Sequence, residues 1–173
     1  MALESLGKRD SAGFTLIQLI TVIGVIAILA SIAIPGFLAW RPKYLCRSAA
    51  RDVYSYFQVA KMEAVRSKAD VVITFSMAGR GRFTVFVDDG GGVAANAGNR
   101  TMDAGERQLA RITMPQYVNI SSINFTGGSL TAGYNARGLP VSSIIGNVTV
   151  SNTQGLTYQI ILSMAGNLRI NEL

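Results

Sequence analysis

No Asp, Glu, Lys or Arg occurs among residues 11–40. As a helix, residues 14–38 would extend ~37 Å at ~1.5 Å per residue, against a bilayer hydrocarbon thickness of ~30 Å. The segment can therefore span a membrane, and a chain of 173 residues then has room for one compact domain beside it. The same run explains why charged residues make up only 15% of the chain, where ordinary soluble domains carry ~25%. Absences narrow the chemistry. With no His and one Cys, Cys46, the chain can build no Ser-His or Cys-His relay, no imidazole zinc site and no intramolecular disulfide. The excess of 16 Lys+Arg over 10 Asp+Glu leaves open an acidic partner such as DNA or anionic lipid.

The N-terminus is not an ordinary secretory signal, whose apolar core of ~7–15 residues precedes an A-x-A-like cleavage site. Here the small residue, Gly13, comes before the apolar run, after a polar stretch with Lys8, Arg9 and Asp10. The sequence Gly13-Phe14-Thr15-Leu16-Ile17-Gln18-Leu19, followed by apolar residues and Ile34-Pro35, resembles the class III leader of type IV pilins and type II secretion pseudopilins. The resemblance implies that a prepilin peptidase cuts between Gly13 and Phe14 and methylates the new amino group of Phe14. The apolar helix would remain as an inner-membrane anchor, N-terminus cytoplasmic and head periplasmic, and later enter a filament core. Arg41, Lys43, Arg47 and Arg51 follow the helix, against the positive-inside tendency, but large C-terminal domains translocate largely regardless of charge. Gln18 stands where most family members carry Glu. In the family that buried carboxylate meets the charged amino terminus of a neighbour, since an unpaired charge in hydrocarbon is costly. A neutral residue there suits a subunit at a filament tip; the other reading is drift, with the amide still bonding to a neighbouring amine or to backbone.

Beyond the anchor the helical pattern continues as one apolar stripe, Leu45, Ala49, Val53, Phe57, Ala60 and Ala64. Lys43, Arg47 and Arg51 repeat at steps of four on another face, as contacts for anionic phospholipid or as a solvated surface. Pro35 and Pro42 each remove a helical hydrogen bond, which predicts a kink or loosened helix between the two halves. Cys46 reads as a small packing residue. After Lys68 the pattern turns to strands at 71–75, 83–87, 109–114, 118–125, 148–151 and 158–164, with 168–170 as a terminal edge. Phe83, Val85 and Val87 alternate as one buried face. The segment 90–105 reads as a long, flexible, exposed loop. One long helix followed by strands predicts an α+β head with the helix packed on an antiparallel sheet. The organisation is then 1–13 leader, 14–38 membrane helix, 39–68 amphipathic continuation and 69–173 β-rich head.

The head also resembles minor pilins and pseudopilins of the GspH/FimT type. The matching stretches are Ala60-Lys61-Met62-Glu63-Ala64-Val65-Arg66-Ser67, Phe86-Val87-Asp88-Asp89, Asp103-Ala104-Gly105-Glu106-Arg107 and Ala165-Gly166-Asn167-Leu168-Arg169-Ile170. The resemblance implies a minor subunit that initiates or caps a type II secretion pseudopilus or type IV pilus. Its partners would be prepilin peptidase, other pilins or pseudopilins, and inner-membrane lipid, with no cofactor. Gly13 and Phe14 would serve processing; Phe14, Gln18 and Pro35 would serve assembly. Some pilus members bind DNA through a Gly-Arg-x-Arg turn. Gly166-Asn167-Leu168-Arg169 lacks one of the two basic positions, so a DNA role would rest on Arg137 and Arg169.

No enzymatic site is legible. Asp88, Asp89, Asp103 and Glu106 offer oxygen ligands for calcium without the EF-hand spacing, and loop solvation is the alternative. No pair of carboxylates is placed for glycoside chemistry. Gly90-Gly91-Gly92 lacks the Gly-Lys-Ser/Thr ending of a phosphate loop, and Ser142-Ser143 has no base beside it.

Overall fold

The computed structural model describes residues 14–173, so the leader and Gly13 lie outside the described residues. Helix α1, Leu16–Ser67, is followed by β1 (Asp70–Ser76), β2 (Arg82–Asp88), β3 (Gln108–Thr113), β4 (Val118–Phe125), β5 (Thr131–Tyr134), β6 (Gly146–Asn152), β7 (Thr157–Leu162) and β8 (Leu168–Glu172). The chain divides into two units between Ala39 and Trp40. Within the first, the apolar part of α1 buries none of its large side chains: Leu16 is 75% exposed and Val25, among the most covered, 52%. α1 continues through Pro35 and Pro42 as uninterrupted helix, so the loosening expected there does not break it. Each proline removes one hydrogen bond while those on either side persist, and Pro42 is itself buried.

The second unit is an α+β head. From Trp40 onward α1 presents Cys46, Ala49, Ala50, Val53, Phe57, Ala60 and Ala64 to a single core. Small residues at most of these positions let sheet side chains approach the helix closely. Phe57 fills the gap, stacking on Phe75 at 6.0 Å and meeting Tyr134 edge-on at 6.4 Å. The helix packs on antiparallel sheet as expected, but where the sequence pattern predicted a single sheet the strands divide between two of four strands each, ordered β3-β2-β1-β5 and β4-β6-β7-β8. Both send one face into the same core: Val71, Ile73 and Phe75 from β1, Phe83, Val85 and Val87 from β2, Val148 and Val150 from β6, Tyr158, Ile160 and Leu162 from β7. The β1–β2 hairpin sets Val71 opposite Val87, Ile73 opposite Val85 and Phe75 opposite Phe83, so its apolar side chains support one another across the strands. β8 lies at the edge of the second sheet, as the sequence predicts.

Strand β5 was not anticipated: Thr131-Ala132-Gly133-Tyr134 is short and carries a glycine in its middle, which weakens a strand pattern. Gly133 faces Val72 across the β1–β5 pair, where a Cβ would run into the Val71 carbonyl. The close approach requires glycine.

Candidate functional site

α1 begins with a reciprocal cap. The Thr15 backbone N–H donates to Gln18 Oε1 at 3.0 Å, the Gln18 N–H donates to Thr15 Oγ1 at 3.3 Å, and the Thr15 carbonyl accepts from the Leu19 N–H at 3.2 Å. This is a capping box: the first-turn donors have no helical partner and are satisfied by side chains three residues apart. Phe14 and Leu19 occupy the flanking positions of a hydrophobic staple. Gln18 thus has an intramolecular role that the comparison with Glu had hidden, although the Thr-x-x-Gln spacing was visible in the sequence. Phe14 is 92% exposed, and Pro35 lies inside the uninterrupted helix. By length and composition the apolar segment is able to cross a membrane.

On the head, the segment 89–105 is more organised than a flexible loop. The Asp88 carboxylate, 2% exposed, accepts from the Gly98 N–H at 2.8 Å and the Arg100 N–H at 2.7 Å. Glu106, 7% exposed, accepts from Gly90 N–H at 3.1 Å and Asp103 N–H at 2.9 Å. Asp89 accepts from the Gly91 N–H, and Asp103 from the Asn99 side-chain amide. The four acidic residues therefore hold the loop's own donors. Among the described residues no cluster of three or more acidic or sulfur ligands is poised for a metal. Arg107 continues the motif by pairing with Glu63 of α1, which also pairs with Arg66. The Gly-Glu-Arg stretch thus clasps the loop with one side chain and the helix with the next.

Arg137 and Arg169 are both exposed. Arg137 lies in a turn closed by Asn135, whose Oδ1 accepts from the Arg137 and Leu139 N–H groups. Arg169 lies on β8 opposite Ile161. The two local structures touch behind these side chains: a Cβ on Gly166 would lie 2.7 Å from the Gly138 carbonyl. Lys61 Nζ donates to the Gly166 carbonyl at 3.1 Å, tying that turn to α1. Cys46 is fully buried, and its thiol donates to the Leu156 carbonyl at 3.6 Å. Burial first and the charge of Glu172 second push that thiol up to about 11, so it stays protonated and packs.

The fold of the head is found in known proteins. Residues 49–166 match the family described as type II transport protein GspH. The pilin-like protein PilA1 of Thermus thermophilus is 26% identical over 162 residues, covering 91% of this chain and 97% of that protein. The minor pseudopilin EpsH from the type 2 secretion system of Vibrio cholerae superposes with a TM-score of 0.50 at 15% identity, covering 73% of this chain and 96% of that one. The type IV minor pilin FimU of Pseudomonas aeruginosa gives 0.52 at 15% identity, covering 76% and 91%. At such identities the structural likeness speaks for the fold, and the sequence match supplies the rest: the chain belongs to the GspH family, within the type IV pilin and pseudopilin superfamily.

Proposed function

We propose that this chain is a minor pilin or pseudopilin made with a cytoplasmic leader, cut by a prepilin peptidase between Gly13 and Phe14, and held in the inner membrane by residues 14–38 until it joins a filament. The family and fold are those of structural subunits rather than enzymes. The observation that carries the reading is the fully exposed apolar segment of α1. Exposing one large aliphatic side chain to water costs about 1.5–3 kcal/mol, and this segment carries a long series of them. The protomer must therefore stay in lipid or leave it only against neighbouring helices. Hydrophobic helices would bundle as the filament core, while the heads set neighbour identity.

Gly13→Val tests the processing step: expressed with a prepilin peptidase, it should keep the residues before position 14, and a mature N-terminus at Phe14 from this variant would refute the assignment. We place the subunit at the initiating or capping end. Gln18 brings no carboxylate to pair with a neighbour's amine, and its carbonyl oxygen is already bonded to Thr15. Gln18→Glu should shift the protein from trace to bulk incorporation in sheared filaments; unchanged stoichiometry would count against tip placement.

A second reading, DNA capture, draws support from the contact of the turn bearing Arg137 with the turn preceding Arg169. It requires duplex binding that weakens steeply with salt and falls in Arg169→Ala; no retardation at low salt would dismiss it.

A further inference from the structure

A pocket of about 340 Å³ opens on the head where α1 passes the second sheet, lined by Trp40, Lys43, Tyr44, Arg47, Tyr158 and Glu172. The hollow combines a flat aromatic wall with both signs of charge. Trp40 and Tyr44 stack on each other with centroids 5.0 Å apart and planes inclined by 26°. Among the described residues both ion pairs end on Glu63, so neither Lys43 nor Arg47 is held in one, and Arg47 lies against the Tyr158 hydroxyl. Glu172 accepts from the Tyr158 hydroxyl at Oε2, 2.9 Å away, and Oε1 is the carboxylate's second acceptor. Arg47 and Tyr158 also line an adjoining hollow with Arg51.

The position along the chain points to the occupant. Trp40 closes the uncharged run and Arg41 opens the charged one, and Trp and Tyr favour the membrane–water boundary. Along a helix Lys43 and Arg47 lie ~4.5 and ~10 Å beyond Trp40, a span comparable to the ~5–8 Å head-group layer on each side of the hydrocarbon.

We propose that this pocket binds a phosphoethanolamine lipid head group, with the phosphate on Lys43 and Arg47 and the ammonium on Glu172. The inference rests on the membrane-anchor reading above. A phosphate alone would use the cations and leave Glu172 opposing it. A choline head group keeps the positive charge but has no N–H for Glu172, and a stacked pair of rings is one wall rather than the cage that quaternary ammonium favours. Glycerol head groups bring no cation. The function of such a site would be to hold the protomer at a defined depth and rotation in the bilayer before assembly.

The test titrates the full chain in nonionic detergent with phosphatidylethanolamine, phosphatidylcholine or phosphatidylglycerol and follows the emission of Trp40, the one tryptophan in the chain. Phosphatidylethanolamine should bind about tenfold more tightly than either other lipid, the scale of one charge-assisted hydrogen bond. Glu172→Gln, which keeps an acceptor for Tyr158, should erase that preference, and Arg47→Gln should weaken all three lipids alike. Equal binding of the three lipids, or a preference that survives in Glu172→Gln, overturns the proposal. So does displacement of the lipid by inorganic phosphate as effectively as by soluble phosphoethanolamine, which would mark a plain phosphate site. Flotation with phosphatidylcholine vesicles separates the two readings. A chain that floats without head-group preference keeps its anchor and loses the pocket; a chain that does not float loses both.

Discussion

Replacing Asp88 with Ala should unfasten the 89–105 loop and destabilise the head. The Asp88 carboxylate is 2% exposed and holds two backbone N–H groups at 2.8 and 2.7 Å. Hydrogen bonds to a charged group contribute about 1.5–3 kcal/mol each, so losing both costs about 3–6 kcal/mol. Asp70 lies directly across the β1–β2 pair from Asp88, and relief of that like-charge contact offsets about 0.2–1 kcal/mol. The net loss should be roughly 2–6 kcal/mol. Asp88→Asn keeps one acceptor oxygen and sets an amide N–H against the other donor, so it should fall between wild type and Ala. Urea unfolding of the full chain in mild detergent reads the stability, and brief trypsin treatment reads the loop, since Arg100 is one of the residues the carboxylate fastens. A shift below about 1 kcal/mol with unchanged cleavage at Arg100 would refute the reasoning. A chelator should leave the wild-type curve unmoved; a chelator-dependent loss would instead revive the calcium reading of these acidic residues.

Three further outcomes follow from named contacts. Burial first and the charge of Asp88 second raise the Asp70 carboxyl above its ordinary value, so the folded state keeps that proton to higher pH than the unfolded state does. Stability is then lost as pH rises from the ordinary aspartate value through the raised one; Asp70→Asn should be about 0.2–1 kcal/mol more stable than wild type at neutral pH, with the advantage vanishing in acid denaturation curves. Gly133→Ala would drive a methyl group into the Val71 carbonyl and within about 3.0 Å of Val72 Cα; the head should lose at least about 2 kcal/mol in a urea titration. Thr15→Ala removes half of the capping box at a cost of about 1 kcal/mol, and amide exchange in the first turn of α1 should quicken about fivefold.

The features legible in the sequence are those written in local pattern. Thirty uncharged residues identified a helix long and apolar enough to cross a membrane, and steps of three and four identified the buried stripe from Ala49 to Ala64. Alternation found the β1–β2 hairpin, and the boundaries of β4 were placed correctly. The capping box is equally local, since Thr15 and Gln18 stand three residues apart. Strand β5 was hidden because its glycine answers to a carbonyl on β1, about sixty positions away, rather than to its neighbours.

The sequence by itself determined that this chain has a membrane-capable helix, a leader resembling those of prepilins and a β-rich head, because hydropathy, period and short motifs are properties of adjacent residues. Only the tertiary structure decided that the strands form two sheets around one helix, since the pairing of strands depends on register and on a core shared by distant segments. It also decided what the acidic residues do. Asp88 and Glu106 look like ligands in a row of letters, and become loop clasps once folding brings backbone N–H groups to their oxygens. Lys43 and Arg47 look like one solvated helix face until β7 and β8 bring Tyr158 and Glu172 beside them. Charge and spacing say which groups are present, while the enclosure around them arises only when the chain closes on itself.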